Sequence, residues 1–117
     1  MTRVLVVDDD VVVTDLMRLV LEDLEFEVST AVSADGLPAG PFDCVVTDLL
    51  TVRVYAAAGA RAWVQRLADR YPGVPVIVVT GHTAALGGAA AIGAYRVLMK
   101  PFDVEALTAA VREAITS

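Results

Sequence analysis

Short apolar runs alternate with longer amphipathic stretches along the whole of this 117-residue chain. Arg3-Val4-Leu5-Val6-Val7 is apolar, β-branched and closed by acids, which predicts a strand buried on both faces. Val13, Leu16, Met17, Val20, Leu21 and Leu24 then recur at helical spacing, with Asp10 placed as the N-cap. Glu27 to Thr30 predicts a brief second strand. The Gly- and Pro-rich stretch from Ser33 to Pro41 has room for a turn or two of helix at most. Cys44 to Thr47 predicts the third strand, ending at Asp48, and a loop of about ten residues follows. Ala60 to Tyr71 predicts a helix with Trp63, Val64 and Leu67 inward, stopped by Pro72-Gly73. Val76 to Val79 is the fourth strand, ending at Thr80-Gly81. Ala84 to Ile92 is a weak helix interrupted by glycine, and Val97 to Met99 is the fifth strand, ending at Lys100-Pro101. Asp103 caps a last helix with Val104, Leu107, Val111 and Ile115 on one face.

Five β-α units predict a mostly parallel sheet with helices on both faces, within one domain covering residues 1–117. In such sheets the chemistry gathers at the carboxyl ends of the strands. Strand one ends in Asp8-Asp9, strand three in Asp48, strand four in Thr80 and strand five in Lys100. Right-handed crossovers bring strands one, three, four and five side by side, so three carboxylates, a hydroxyl and an ammonium are expected in one cleft.

Three adjacent carboxylates need a counter-charge. A hard cation with oxygen ligands suits them, and Mg²⁺ accepts carboxylates, waters and phosphate oxygens together. One carboxylate is then free to attack phosphorus, while the ammonium and hydroxyl hold the phosphoryl oxygens. This assigns Asp48 as phosphoacceptor, Thr80 and Lys100 as its helpers, and Asp8, Asp9 and Asp48 as metal-site acids, with the Leu50 backbone carbonyl as a further ligand.

Composition narrows the setting. Nine Lys+Arg against fifteen Asp+Glu give a net charge of −6, which repels phosphate backbones and argues against direct nucleic-acid binding. Hydrophobic residues at 56% supply a core, while the longest apolar run, Ala84 to Val97, is too short and broken to span a membrane. The single Cys44 excludes an internal disulfide, and no signal peptide is evident, so a cytoplasmic location is expected. Met1 and the final helix fit a complete product without an appended effector domain.

The strand-end residues, with Val6-Val7-Asp8-Asp9-Asp10, Phe42-Asp43-Cys44-Val45-Val46-Thr47-Asp48, Pro75 to His82, Gly93-Ala94 and Lys100-Pro101-Phe102-Asp103, carry a resemblance along the whole chain. It resembles the receiver domain of bacterial two-component response regulators. That resemblance implies a flavodoxin-like α/β fold with a doubly wound five-stranded parallel sheet in the order 2-1-3-4-5. It also implies Mg²⁺, a histidine kinase or phosphotransfer protein as donor, and a Lys-Pro peptide that is often cis. The output expected is altered binding of a downstream protein on the face made by the last two helices, as a monomer or a phosphorylation-dependent dimer. Such a domain is a switch that catalyses only its own phosphorylation and dephosphorylation.

The chain departs from that family in places. The Met-Pro and acidic-Gly pairs that usually follow the phosphorylated Asp are missing from Leu49 to Gly59. The second helix region is short, and the segment from Thr80 to Lys100 is about two residues shorter than usual. Val97 stands at the usual switch aromatic, with Tyr95 two residues earlier and, by strand alternation, on the same face. Two alternatives follow: an interaction module that is not phosphorylated, or a haloacid-dehalogenase-type phosphatase with Asp8 as nucleophile, Asp10 as acid, and Thr80 and Lys100 in support. His82 is expected to be an exposed loop residue, Cys44 a buried strand residue, Trp63 and Tyr71 packing residues, and Tyr55 an exposed aromatic or a cover for the pocket.

Overall fold

The computed structural model describes residues 1–50, 56–82, 85 and 88–116. Its five strands are β1 (Arg3–Val7), β2 (Glu27–Ala31), β3 (Cys44–Thr47), β4 (Val76–Thr80) and β5 (Arg96–Met99). All neighbours are parallel, in the order β2-β1-β3-β4-β5. Among the described residues four helices connect or follow them: α1 (Val11–Glu22), α2 (Ala57–Arg70), α3 (Ala89–Ile92) and α4 (Val104–Thr116). A single 3₁₀ turn, Ala34–Gly36, stands between β2 and β3, as the Gly- and Pro-rich sequence predicts.

Strand alternation sorts the central residues onto two faces. Val4, Val6, Cys44, Val46, Ile77 and Val79 pack under α1 and α4, against Met17, Leu21, Leu107 and Val111. Leu5, Val7, Val45, Val76 and Val78 pack on the other side against Trp63, Val64 and Leu67 of α2 and Ile92 of α3. Both faces are covered, which is why the central strands read as unbroken apolar runs.

The helices form where caps and spacing direct them. Asp10 Oδ1 accepts the N–H groups of Val12 and Val13 at 2.9 and 3.4 Å, and Asp103 Oδ1 accepts those of Glu105 and Ala106 at 2.8 and 3.3 Å. On α2, Ala60, Trp63, Val64 and Leu67 form the buried stripe. Beyond its end, Gly73 takes φ +78°, where a side chain would be strained.

Several expectations are corrected. Helix α2 begins at Ala57, so the last residues assigned to the preceding loop form its first turn. Among the described residues, the weak helix is confined to Ala89–Ile92, between Gly88 and a left-handed Gly93. Leu16 and Val104 are 48% and 49% exposed, leaving Met17 and Leu21 to anchor α1, and Leu107, Ala110, Val111 and Ala114 to anchor α4. Tyr95 precedes β5, so strand alternation does not govern it. It packs on the α4 face with its hydroxyl 3.0 Å from Glu113 Oε1, whereas Val97 packs on the α2 face. Cys44 is buried as expected.

Candidate functional site

The sheet's hydrogen-bond ladder runs one residue past the strands and fixes the site. Asp8 N–H donates to the Ala31 carbonyl at 3.1 Å, Asp48 N–H to Val7 at 2.8 Å, and Lys100 N–H to Thr80 at 2.9 Å. The first residues beyond β1, β3 and β5 are therefore held by the backbone before any side-chain contact is made.

Their side chains converge. Lys100 Nζ lies 2.7 Å from Asp8 Oδ2 and 3.1 Å from Asp48 Oδ2. One carboxylate oxygen from each of Asp8, Asp9 and Asp48 falls within 4.8 Å of the others. Asp8 is closed from solvent, its side chain 1% exposed, while Asp48 and Lys100 retain 19% and 24%. Burial works to lower the Lys100 pKa, but the bonds to Asp8 and then Asp48, with their negative charges, prevail and hold it above 10.5. The ammonium stays charged at neutral pH and is the counter-ion of the cluster.

The two carboxylates are braced differently. Asp8 Oδ1 accepts the N–H of Asp10 at 2.9 Å, whereas buried Asp8 Oδ2 faces the Lys100 ammonium at 2.7 Å and, among the described residues, has no other donor. Asp48 Oδ1 accepts the N–H of Leu49 at 2.8 Å. An all-oxygen cluster whose buried carboxylate oxygen has a lone ammonium as its counter-charge is chemistry suited to a hard divalent cation. Leu50 follows two residues after Asp48, with its side chain against the α2-side core.

Thr80 is fully buried at the end of β4, and its Oγ1 accepts the N–H of His82 at 3.1 Å. His82 is half-buried rather than exposed, a correction that follows from this tight turn. The Lys100–Pro101 peptide is cis, as is Gly40–Pro41. Expectations about residues 51–55, Tyr55 among them, lie outside the described residues.

One polar contact beneath the site is not apparent in the sequence. Trp63 Nε1 donates to Thr47 Oγ1 at 3.0 Å, and Thr47 Oγ1 donates to the Asp48 carbonyl at 2.6 Å. A threonine in a β-branched run and a tryptophan at an inward helix position both read as packing. The only available hint is that Thr47 is the one hydroxyl in β3.

Comparison with known proteins places this geometry among relatives. The model of the response regulator receiver domain matches residues 4–112. The transcriptional regulatory protein FixJ of Bradyrhizobium diazoefficiens is 32% identical over 119 aligned positions, covering 97% of this chain and 56% of that protein. FixJ of Azorhizobium caulinodans is 37% identical over 116 positions, covering 94% and 53%. The chain thus spans about half the length of these curated relatives. A response regulator receiver protein from Burkholderia phymatum has a crystal structure that superposes with a TM-score of 0.78 at 28% identity, covering 99% of this chain and 96% of that one.

Proposed function

This chain belongs to the response regulator receiver domain family of two-component systems, and on that premise we propose that Asp48 is its phosphoacceptor, served by Lys100 and Thr80 beside a Mg²⁺ site. The observation that carries the reading is the contrast between the acids. Asp48 is the partly open carboxylate set against the Lys100 ammonium, and Asp8 is shut away behind the same ammonium. A nucleophile must reach an incoming phosphorus, and a metal ligand need not. The same contrast weighs against a phosphatase with Asp8 as nucleophile.

In the reaction, a carboxylate oxygen of Asp48 attacks the phosphorus of a phosphohistidine on a histidine kinase or phosphotransfer protein. The O–P bond forms as the P–N bond breaks, and the electron pair returns to the donor imidazole. Asp8, Asp9, Asp48 and the Leu50 carbonyl would hold Mg²⁺, which supplies positive charge to the transferring phosphoryl oxygens. Lys100 moves from its carboxylate partners to a phosphoryl oxygen, and the Thr80 hydroxyl donates to another. An apolar groove of about 390 Å³ lined by Val13, Leu16, Pro101 and Phe102 beside Lys100 gives a donor helix a seat next to Asp48.

The protein is a switch, with the phosphoryl group shifting a population between two conformations. Its readout is a protein contact on the α3, β5 and α4 face, made as a monomer or through a phosphorylation-dependent dimer. Among the described residues, no helix is long and apolar enough to cross a membrane, and a cytoplasmic location fits the kinase donor. The curated relatives are transcriptional regulators about twice as long, and with a net charge of −6 this segment's part in any such role is signalling rather than direct nucleic-acid contact.

Incubation with acetyl phosphate and Mg²⁺, followed by intact mass, tests the reading. One metal-dependent phosphoryl adduct, lost in Asp48→Asn, is expected. Absence of an adduct where another receiver labels fully would leave an unphosphorylated interaction module. An adduct surviving in Asp48→Asn would return the nucleophile to Asp8.

A further inference from the structure

We propose that Thr47 and Trp63 are positioning residues for Asp48, setting the peptide plane that in turn aims its carboxylate. The inference rests on the reading of Asp48 as phosphoacceptor and extends it to two buried residues that touch neither donor nor metal. The Asp48 carbonyl and the Leu49 N–H are the two ends of one planar peptide unit. The carbonyl end accepts the Thr47 hydroxyl at 2.6 Å, and the N–H end donates to Asp48 Oδ1 at 2.8 Å. Whatever fixes the tilt of that plane fixes the direction of the N–H, and with it which oxygen of Asp48 is held and which faces Lys100.

The tilt is fixed from below. Thr47 and Trp63 are 1% and 2% exposed, so water cannot replace either partner. A threonine hydroxyl has one proton, which it gives to the Asp48 carbonyl, and lone pairs, one of which takes the Trp63 indole N–H at 3.0 Å. Every donor in the relay is used once. The indole therefore locks the hydroxyl rotor, which would otherwise be free to turn about its C–O bond. Trp63 is on the buried stripe of α2, so the relay is also a polar link between that helix and the site through an otherwise apolar core. Near-attack geometry is sensitive on the ångström scale, and an unlocked peptide plane would spread the carboxylate over several orientations.

The test uses Thr47→Val, Thr47→Ser and Trp63→Phe, each checked for native far-UV circular dichroism. Thr47→Val removes the hydroxyl while keeping shape. Trp63→Phe removes the indole donor, and Thr47→Ser restores the rotor without the methyl. With acetyl phosphate and Mg²⁺, the maximal rate of adduct formation is expected to fall about tenfold or more in Thr47→Val and Trp63→Phe and to stay within about threefold in Thr47→Ser. Amide exchange of Leu49, followed by ¹H–¹⁵N spectra, is expected to speed up by at least about tenfold in the same two variants, because its bond to Asp48 Oδ1 is no longer held. Should Thr47→Val fail to fold, Trp63→Phe carries the test. Wild-type rates and Leu49 protection in a folded Trp63→Phe would overturn the proposal, as would a Thr47→Ser as slow as Thr47→Val. If the unsubstituted protein takes no phosphoryl group, the fault lies with the Asp48 reading, and Leu49 protection alone decides whether the relay exists.

Discussion

Replacing Lys100 with methionine removes the counter-ion of the acidic cluster while keeping a side chain of similar length. With an effective dielectric of about 20, the ammonium attracts the Asp8 and Asp48 carboxylates by roughly 5 to 6 kcal/mol each at their observed separations of 2.7 and 3.1 Å. Much of that is offset by the cost of withdrawing three charges from water, and deleting one partner of a fully buried pair costs about 3–5 kcal/mol. Asp48 and Lys100 keep 19% and 24% of their exposure, which places the loss toward the low end. Lys100→Met is therefore expected to lose about 2–4 kcal/mol at pH 7 without metal, or on the order of 10 °C in melting temperature for a domain of this size. Urea unfolding in EDTA measures it. Mg²⁺ should restore part of the loss by taking over the counter-charge. In a double-mutant cycle, Asp8→Asn should offset Lys100→Met by at least about 1 kcal/mol. A Lys100→Met protein within about 0.5 kcal/mol of wild type in EDTA would refute the reasoning. So would an Asp8→Asn change that simply added to the loss.

Alkaline pH should weaken the fold for two reasons of the same sign. Burial, and then neighbouring Asp43, push the Cys44 thiol from 9.0 up to about 12, and the net effect of burial and the Asp8 and Asp48 contacts raises Lys100 above 10.5. Above about pH 9 the unfolded chain sheds the thiol proton that the folded chain keeps, so stability falls as pH rises toward 12. Urea midpoints between pH 7.5 and about 10 should decline less steeply in Cys44→Val, and an unchanged slope would contradict this. Asp10→Ala removes the α1 cap and should cost about 1 kcal/mol by urea unfolding, with the phosphorylation rate preserved because the Asp10 contact to Asp8 is made by backbone. Tyr95→Phe removes the hydroxyl bond to Glu113 at the exposed edge and should cost less than about 1 kcal/mol. Since Tyr95 packs on the opposite face from Val97, its loss should leave the Asp48 labelling rate unchanged, and a slowed rate would show that it couples to the site after all.

The parts of this molecule that the sequence makes legible are those that the sheet itself dictates. A strand covered on both faces carries no charge until it leaves the core, so the first charged residue after β1, β3 and β5 marks the carboxyl edge. Asp8, Asp48 and Lys100 are found there because the ladder bonds Asp8 to Ala31, Asp48 to Val7 and Lys100 to Thr80. Helix ends with a capping side chain, Asp10 and Asp103, are legible for the same local reason. Legibility fails where no local rule operates. Ala57 starts α2 without a side-chain cap, behind an Ala56 that gives no signal. Leu16 and Val104 have the right spacing for burial and stay outside, since apolar residues on a surface break no physical rule. Alternation extended one residue back from β5 puts Tyr95 on the Val97 face, and it fails there. Its N–H bonds Val76 O before β5 begins, and its ring is free to turn toward Glu113. The Trp63–Thr47 bond joins residues sixteen apart through a contact that neither periodicity nor propensity encodes. A sequence thus shows which groups meet at a sheet edge well before it shows what holds them still. Rates depend on what holds those groups still, and in this chain that support comes from an indole and a hydroxyl buried beneath Asp48.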